Sequence, residues 1–241
     1  MCGWVGRFEH RDSTKAAGSD FACDRCGTRL RYRDEAFAIV DEYGETASSS
    51  LDDVCNGVLS NFALHYVGVS GPLRAKLMTL DGFTESALEP PTGQGFKPFR
   101  RAYQDLQSLG FVDAAFDLVV SSHIMEHVPD PDRAFGEVRR VLRAGGRYIF
   151  SMPMRPSGAT IVRAVTRDGE IEHRQPEHFH NSPSGGALVF NDFGEDLVDR
   201  MPDLGFSATI KRPTGNMDGY LNAVVVARKL DTHQRSEGLE G

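Results

Sequence analysis

The chain is short of the features that mark special environments. It has four cysteines and one tryptophan in 241 residues, and no apolar run approaches the ~20 residues that a membrane span needs. Cys2, Cys23, Cys26 and Cys55 are too few and too unevenly spaced for a secreted disulfide framework. Met1 to His10 lacks the apolar core of a signal peptide, so a cytoplasmic protein is expected. Basic charge is also in deficit. Lys and Arg number 27 against 34 Asp and Glu, a net charge of −7, which argues against nucleic acid as a partner. Apolar residues make up 40%, and the length is ample to bury a core without staples. Internal repeats are absent.

Four zones follow from composition and period. Residues 1–30 are polar, Gly- and Cys-bearing and without period. Residues 31–61 read as a helical lead-in, with LRYRDEAFAIVDEY (Leu30 to Tyr43) spacing Leu30, Ala36, Phe37, Ile39, Val40 and Tyr43 as a helix and Gly44 as its stop. A second short helix is expected around Leu51 to Leu59. Residues 62–228 alternate strand and helix, and the polar tail 229–241 is expected to be disordered. In the third zone, Phe62 to Val69 reads as a buried strand and Leu73 to Leu80 as a helix with Pro72 in its first turn. Further strands are expected at Phe83 to Leu88, Arg101 to Leu106, Phe116 to Ser121, Arg147 to Met152, Gly205 to Lys211 and Tyr220 to Ala227. Helices are expected at Pro131 to Leu142, stopped by Gly145-Gly146, and at Gly194 to Leu204. Residues 153–192 are rich in His, Pro and Gly and read as a long functional loop. Such alternation predicts an α/β fold with a doubly wound, mostly parallel sheet, whose chemistry gathers at the carboxyl ends of the strands.

The cysteines suggest a metal knuckle. Cys23-Asp-Arg-Cys26-Gly27 is a whole Cys-x-x-Cys-Gly turn, which curls backbone amides around thiolates. Cys2-Gly3 resembles half of a second one, whose partner cysteine would lie upstream of Met1. The segment resembles a zinc ribbon, with Cys2, Cys23 and Cys26 as candidate ligands and His10 or Cys55 as a fourth. A reduced Cys pair on a surface hairpin is the alternative.

The stretch from Leu106 through FDLVVSSHIMEHVPDPDRAFGEVRRVLRAGG (Phe116 to Gly146) resembles the class I S-adenosylmethionine (SAM) methyltransferases of the type 11 kind. It matches their segment from the third strand to the Gly-Gly turn before the fifth. The resemblance implies a Rossmann-like, seven-stranded sheet with a last antiparallel strand, over residues 60 to 228. It also implies a cofactor site: Gly68 and Gly71 in the turn after the first strand, Asp105 and Leu106 beside the adenine, and Ser121 at the fourth strand's end. The match is eroded there, since Tyr66 or Val67 stands where an acid is expected. Ala87 stands where the ribose acid is expected, unless Glu85 or Glu89 replaces it. Losing such charge-assisted bonds, each worth about 1.5–3 kcal/mol, could cost several kcal/mol of affinity. The cofactor is therefore SAM or none.

Two clusters carry candidate chemistry. The first is Ser121, Ser122, His123, Glu126 and His127; a helical turn starting at His123 would set Glu126 and His127 on its face. The second is His173, Arg174, His178 and His180 in the long loop. His123, Glu126, Asp113 and His178 are candidate catalytic groups, and Tyr66, His173, Arg174 and His180 candidate substrate contacts. The first reading is a methyltransferase-like enzyme of small-molecule metabolism that displaces a leaving group such as sulfate without SAM, closing an aziridine-type ring. There Arg174 would receive the leaving oxyanion. The alternative is SAM-dependent methyl transfer to a small molecule; a non-catalytic partner subunit is a third. The substrate is expected free or on a carrier protein, for which Arg139, Arg140, Arg143 and Arg147 could form a dock. Self-association is compatible with the sequence.

Overall fold

A computed structural model describes residues 8–10, 21–68, 71–88, 101–155, 158–180, 186–212 and 222–231. Cys2, Glu89 and the tail beyond 231 lie outside the described residues. The chain opens with a hairpin of β1 (Phe8–His10) and β2 (Phe21–Cys23), followed by α1 (Leu30–Tyr43) and α2 (Leu51–Asn56). A reciprocal capping box between Ser50 and Asp53 starts α2. Next come β3 (Leu64–Val67), α3 (Pro72–Leu77), β4 (Phe83–Ala87), β5 (Arg101–Tyr103), β6 (Phe116–Ser122), α4 (Pro131–Val141) and β7 (Leu142–Pro153). Six short strands follow: β8 (Ile161–Val162), β9 (Ala164–Arg167), β10 (Glu170–His173), β11 (Phe179–His180), β12 (Ala187–Leu188) and β13 (Asn191–Asp192). The last elements are α5 (Asp196–Arg200), β14 (Phe206–Lys211) and β15 (Asn222–Lys229).

The main sheet has the order β14-β15-β7-β6-β3-β4-β5. β15 runs antiparallel to both β14 and β7, and the remaining pairs are parallel. Each face of the sheet carries its own core. One packs Phe135 and Val138 of α4 with Phe150 and Phe206; the other packs Ile39 of α1, Leu73 and Leu77 of α3 and Leu59 against Leu118 and Val120. That two-sided cover is why the central strands read as unbroken apolar runs. The expected doubly wound α/β fold is the one observed. Among the described residues no helix is long and apolar enough to cross a membrane.

Three local expectations give way. α4 stops at Val141, and β7 begins at once, running through Gly145-Gly146. A Cβ on Gly146 would lie 2.9 Å from the Arg143 carbonyl and 3.1 Å from that of Asp117. The glycine thus permits a close approach of β7 and β6, where the register also shifts. Residues 153–192 are not a plain loop, because β8 to β13 form three two-stranded pairings there. α1 has the expected span but not the expected face: Phe37 is 65% exposed, while Asp34 and Glu35 are buried. Its first turns reach the carboxyl ends of β6 and β7, where Asn222 and Ser151 meet Asp34 and Glu35, while Glu42 in its last turn pairs with Arg147 toward the amino end of β7.

Candidate active site

The site grows from the end of β6. His123 follows the strand with φ of +52°, a left-handed turn that is unusual for a residue with a Cβ. Its backbone N–H donates to the Ser151 carbonyl of β7, 2.9 Å away, so the turn is held at the sheet. Met125, Glu126 and His127 then form a single 3-10 turn, with the Met125 side chain fully buried as its anchor. Asp130 caps α4 by accepting from the Arg133 N–H, and Pro131 sits in the helix's first turn.

The short-strand segment docks onto this turn through bonds to main-chain carbonyls. The Phe190 N–H donates to the Glu126 carbonyl at 2.8 Å, and the Asn191 amide donates to the Val128 carbonyl at 3.2 Å. His127 Nδ1 donates to the Leu188 carbonyl at 2.8 Å. The result brings His178 and His180 beside Glu126 and His127. The His180 ring stands perpendicular to those of His127 and His178, with centroids 5.0 and 5.1 Å away.

Glu126 is the centre of the cluster and is 2% exposed. Its Oε1 lies 3.5 Å from His123 Nδ1, 3.6 Å from His180 Nδ1 and 3.8 Å from His127 Nε2. Burial alone would raise its pKa, but the imidazoles of His180, His123 and His127 outweigh it and bring it down to about 2. Burial lowers His123 to about 4, so its imidazole is neutral at neutral pH. Burial also lowers His178.

A polar network from three distant segments backs this cluster. His123 Nε2 donates to Asn222 Oδ1 of β15 at 2.9 Å, and Asn222 Nδ2 donates to Asp34 Oδ2 of α1 at 3.1 Å. Ser151 Oγ of β7 donates to Glu35 Oε1. Complete burial raises Glu35 to about 7. Sequence reasoning missed Asp34, Glu35, Ser151 and Asn222. The one signal in the sequence is an acidic pair inside an otherwise amphipathic helix.

Beside the cluster, Gly68 and Gly71 bracket the turn after β3, with φ of +142° and +112°. Tyr32 of α1 lies over this turn, since a Cβ on Gly71 would sit 2.6 Å from its ring. Asp105 accepts from the Gln107 backbone N–H at 2.8 Å and from its amide at 3.0 Å, next to a buried Leu106. Gly68 and Gly71 thus follow β3 and Asp105 follows β5. The described residues fit the glycine-turn and adenine-side parts of a SAM site. None of them takes the ribose place, because Glu85 is buried and bound by both Arg74 Nε and Nη2, at 2.5 and 2.9 Å.

Several candidates fall elsewhere. Asp113 precedes β6 while His123 follows it, and seven strand residues separate them by about 23 Å. It pairs with Arg140 on the surface. Ser121 is fully buried and bonded to the Tyr148 hydroxyl at 2.7 Å, so it belongs to the core and not to a cofactor. Tyr66 is 1% exposed, stacks on Phe83 and packs into the core below Gly68, not against a substrate. His173 and Arg174 face solvent, with His173 Nε2 3.3 Å from Glu177, because the β9–β10 hairpin turns them outward. Arg140, Arg143 and Arg147 are paired with acids, which leaves little of the arginine dock. Cys23 and Cys26 flank a tight turn closed by the Gly27 N–H on the Cys23 carbonyl. Among the described residues they join no group of three metal-ligating side chains.

A methyltransferase domain model matches residues 85–150, from β4 into β7. Over 96 residues the chain is 38% identical to the arsenite methyltransferase of Aquipseudomonas alcaligenes, covering 39% of this chain and 25% of that protein. Over 105 residues it is 30% identical to the malonyl-[acyl-carrier protein] O-methyltransferase of Methylovorus sp., covering 44% and 35%. The chain therefore spans a quarter to about a third of the length of these curated relatives. A Listeria monocytogenes structure described as an S-adenosylmethionine-dependent methyltransferase has a TM-score of 0.51 at 11% identity, over 83% of this chain and 99% of that one. The chain thus shares the fold of that structure, and its central segment resembles a methyltransferase domain.

Proposed function

We propose that the protein is a SAM-dependent methyltransferase acting on a small-molecule acceptor in the cytoplasm. The observation that carries the reading is the juxtaposition at the sheet's carboxyl edge. A glycine turn with two positive-φ glycines stands beside a strand end bearing the buried His123–Glu126 pair. Bound SAM would supply an electrophilic methyl group on a sulfonium. Gly68 and Gly71 would let the cofactor approach the backbone closely, and Asp105 would accept from the adenine amino group. His123 would take the acceptor's proton at Nδ1, since its Nε2 proton is committed to Asn222. Asp34, acting through Asn222, would fix that tautomer. The β8–β13 segment would cover the acceptor and exclude water, with His178 on its inner side.

The curated relatives are methyltransferases by name, which favours methyl transfer over SAM-independent ring closure. Ring closure also loses its oxyanion receptor, because Arg174 faces solvent. Calorimetric titration with SAM and with its demethylated product tests the reading. Micromolar binding of either is expected; no binding at millimolar ligand overturns it.

A further inference from the structure

We propose that Glu126, His127 and His180 form a divalent metal site of the zinc class, with two imidazoles, one carboxylate and an open position. Oε1 of Glu126, Nε2 of His127 and Nδ1 of His180 face one another, and the ligand atoms of the three residues lie within 4.8 Å of each other. Ligands at 2.0–2.1 Å from a tetrahedral zinc stand roughly 3.3 Å apart, so the separations of 3.6 and 3.8 Å need only slight contraction.

The hydrogen bonds point the same way. Both carboxylate oxygens of Glu126 are buried and have no hydrogen-bond partner among the described residues, a costly state for an ionised group. His127 donates from Nδ1 to the Leu188 carbonyl, so in the neutral ring Nε2 presents a lone pair toward Glu126. A lone pair facing a carboxylate is repulsive, and either a proton on Nε2 or a metal cation between the two relieves it. A backbone carbonyl holding the far nitrogen is also the usual support of a metal-bound imidazole, fixing its tautomer and its aim. His123 reaches the carboxylate but is not in the mutually close set, and serves as a neighbour of the site.

Three protein ligands are the complement of a catalytic zinc centre, whose fourth position takes water or substrate. An oxygen donor, such as a hydroxyl or carboxylate of the acceptor, is the ligand class that suits this position. Two of the ligands sit on the turn after β6 and the third on β11, so the ion would clamp the covering segment to the sheet.

The test uses tag-free, chelator-treated protein titrated with Co²⁺ and Zn²⁺. A Cys23→Ser/Cys26→Ser background removes the competing thiol turn. One equivalent of Co²⁺ should bind there, with visible d–d bands and without thiolate charge-transfer absorption. Glu126→Gln should weaken binding at least tenfold. His180→Ala should do the same, and as a partly exposed side chain on a short strand it keeps the test open where Glu126→Gln does not fold. No Co²⁺ bound in the Cys23→Ser/Cys26→Ser protein, or unchanged affinity in folded His180→Ala protein, overturns the proposal. SAM binding does not enter this readout, so the two readings stand or fall separately.

Discussion

Glu35 offers a quantitative check on the buried network. Its carboxyl is fully buried between α1 and β7 and holds its proton up to a pH of about 7. In the unfolded chain the group titrates near its ordinary 4.5. A folded pKa above the unfolded one means that folding binds a proton between those two values. Its contribution is therefore whole below pH 4.5 and lost as pH rises through 7. The gap corresponds to roughly 3 kcal/mol. Glu35→Gln keeps an oxygen to accept from Ser151 and abolishes the titration. Urea unfolding at pH 5 and pH 8 is the assay. The native protein should lose about 2.5 kcal/mol more than Glu35→Gln between the two pH values. Equal losses in both proteins would refute the assignment of a proton to this carboxyl.

Gly71→Ala should destabilise the fold by at least 1–2 kcal/mol in thermal or urea unfolding, because φ is +112° and the new Cβ would meet the Tyr32 ring at 2.6 Å. It should also disturb cofactor binding more than Asp113→Ala does. Asp105→Ala should weaken SAM about tenfold to a hundredfold in calorimetry, the loss of one charge-assisted bond of about 1.5–3 kcal/mol; unchanged affinity would remove Asp105 from the site. Asp113→Ala should leave both turnover and SAM binding unchanged and shift stability by less than about 1 kcal/mol, since its only described partner is the surface ion pair with Arg140.

Much of the fold was legible because it rests on local pattern. The apolar run Phe116 to Ser121 became a central strand since both of its faces are covered. The helix expected from Pro131 starts there, with Asp130 as its cap. The turn glycines and Asp105 were legible as a motif, and so was the concentration of histidines between His173 and His180. Which of those histidines count was a matter of tertiary structure. The β9–β10 hairpin sends His173 and Arg174 to solvent, while backbone bonds from Val189 and Phe190 seat His180 against Glu126 and His178 beside His180. Asp113 and His123 are ten positions apart in sequence, yet a strand puts them at opposite ends of the sheet. Ser121 and Tyr66 look like site residues by position, but the pleat turns both into the core.

The sequence by itself determined the sheet, its two-sided cover and the glycine turn, because hydrophobic period and turn chemistry act over a few residues. Only the tertiary structure decided that Asp34, Asn222 and Ser151 stand behind His123 and Glu126. These residues come from α1, β15 and β7, and no local periodicity links them. They meet because the first turns of the helical lead-in reach the strand ends and bury a polar side that its amphipathic pattern assigned to water.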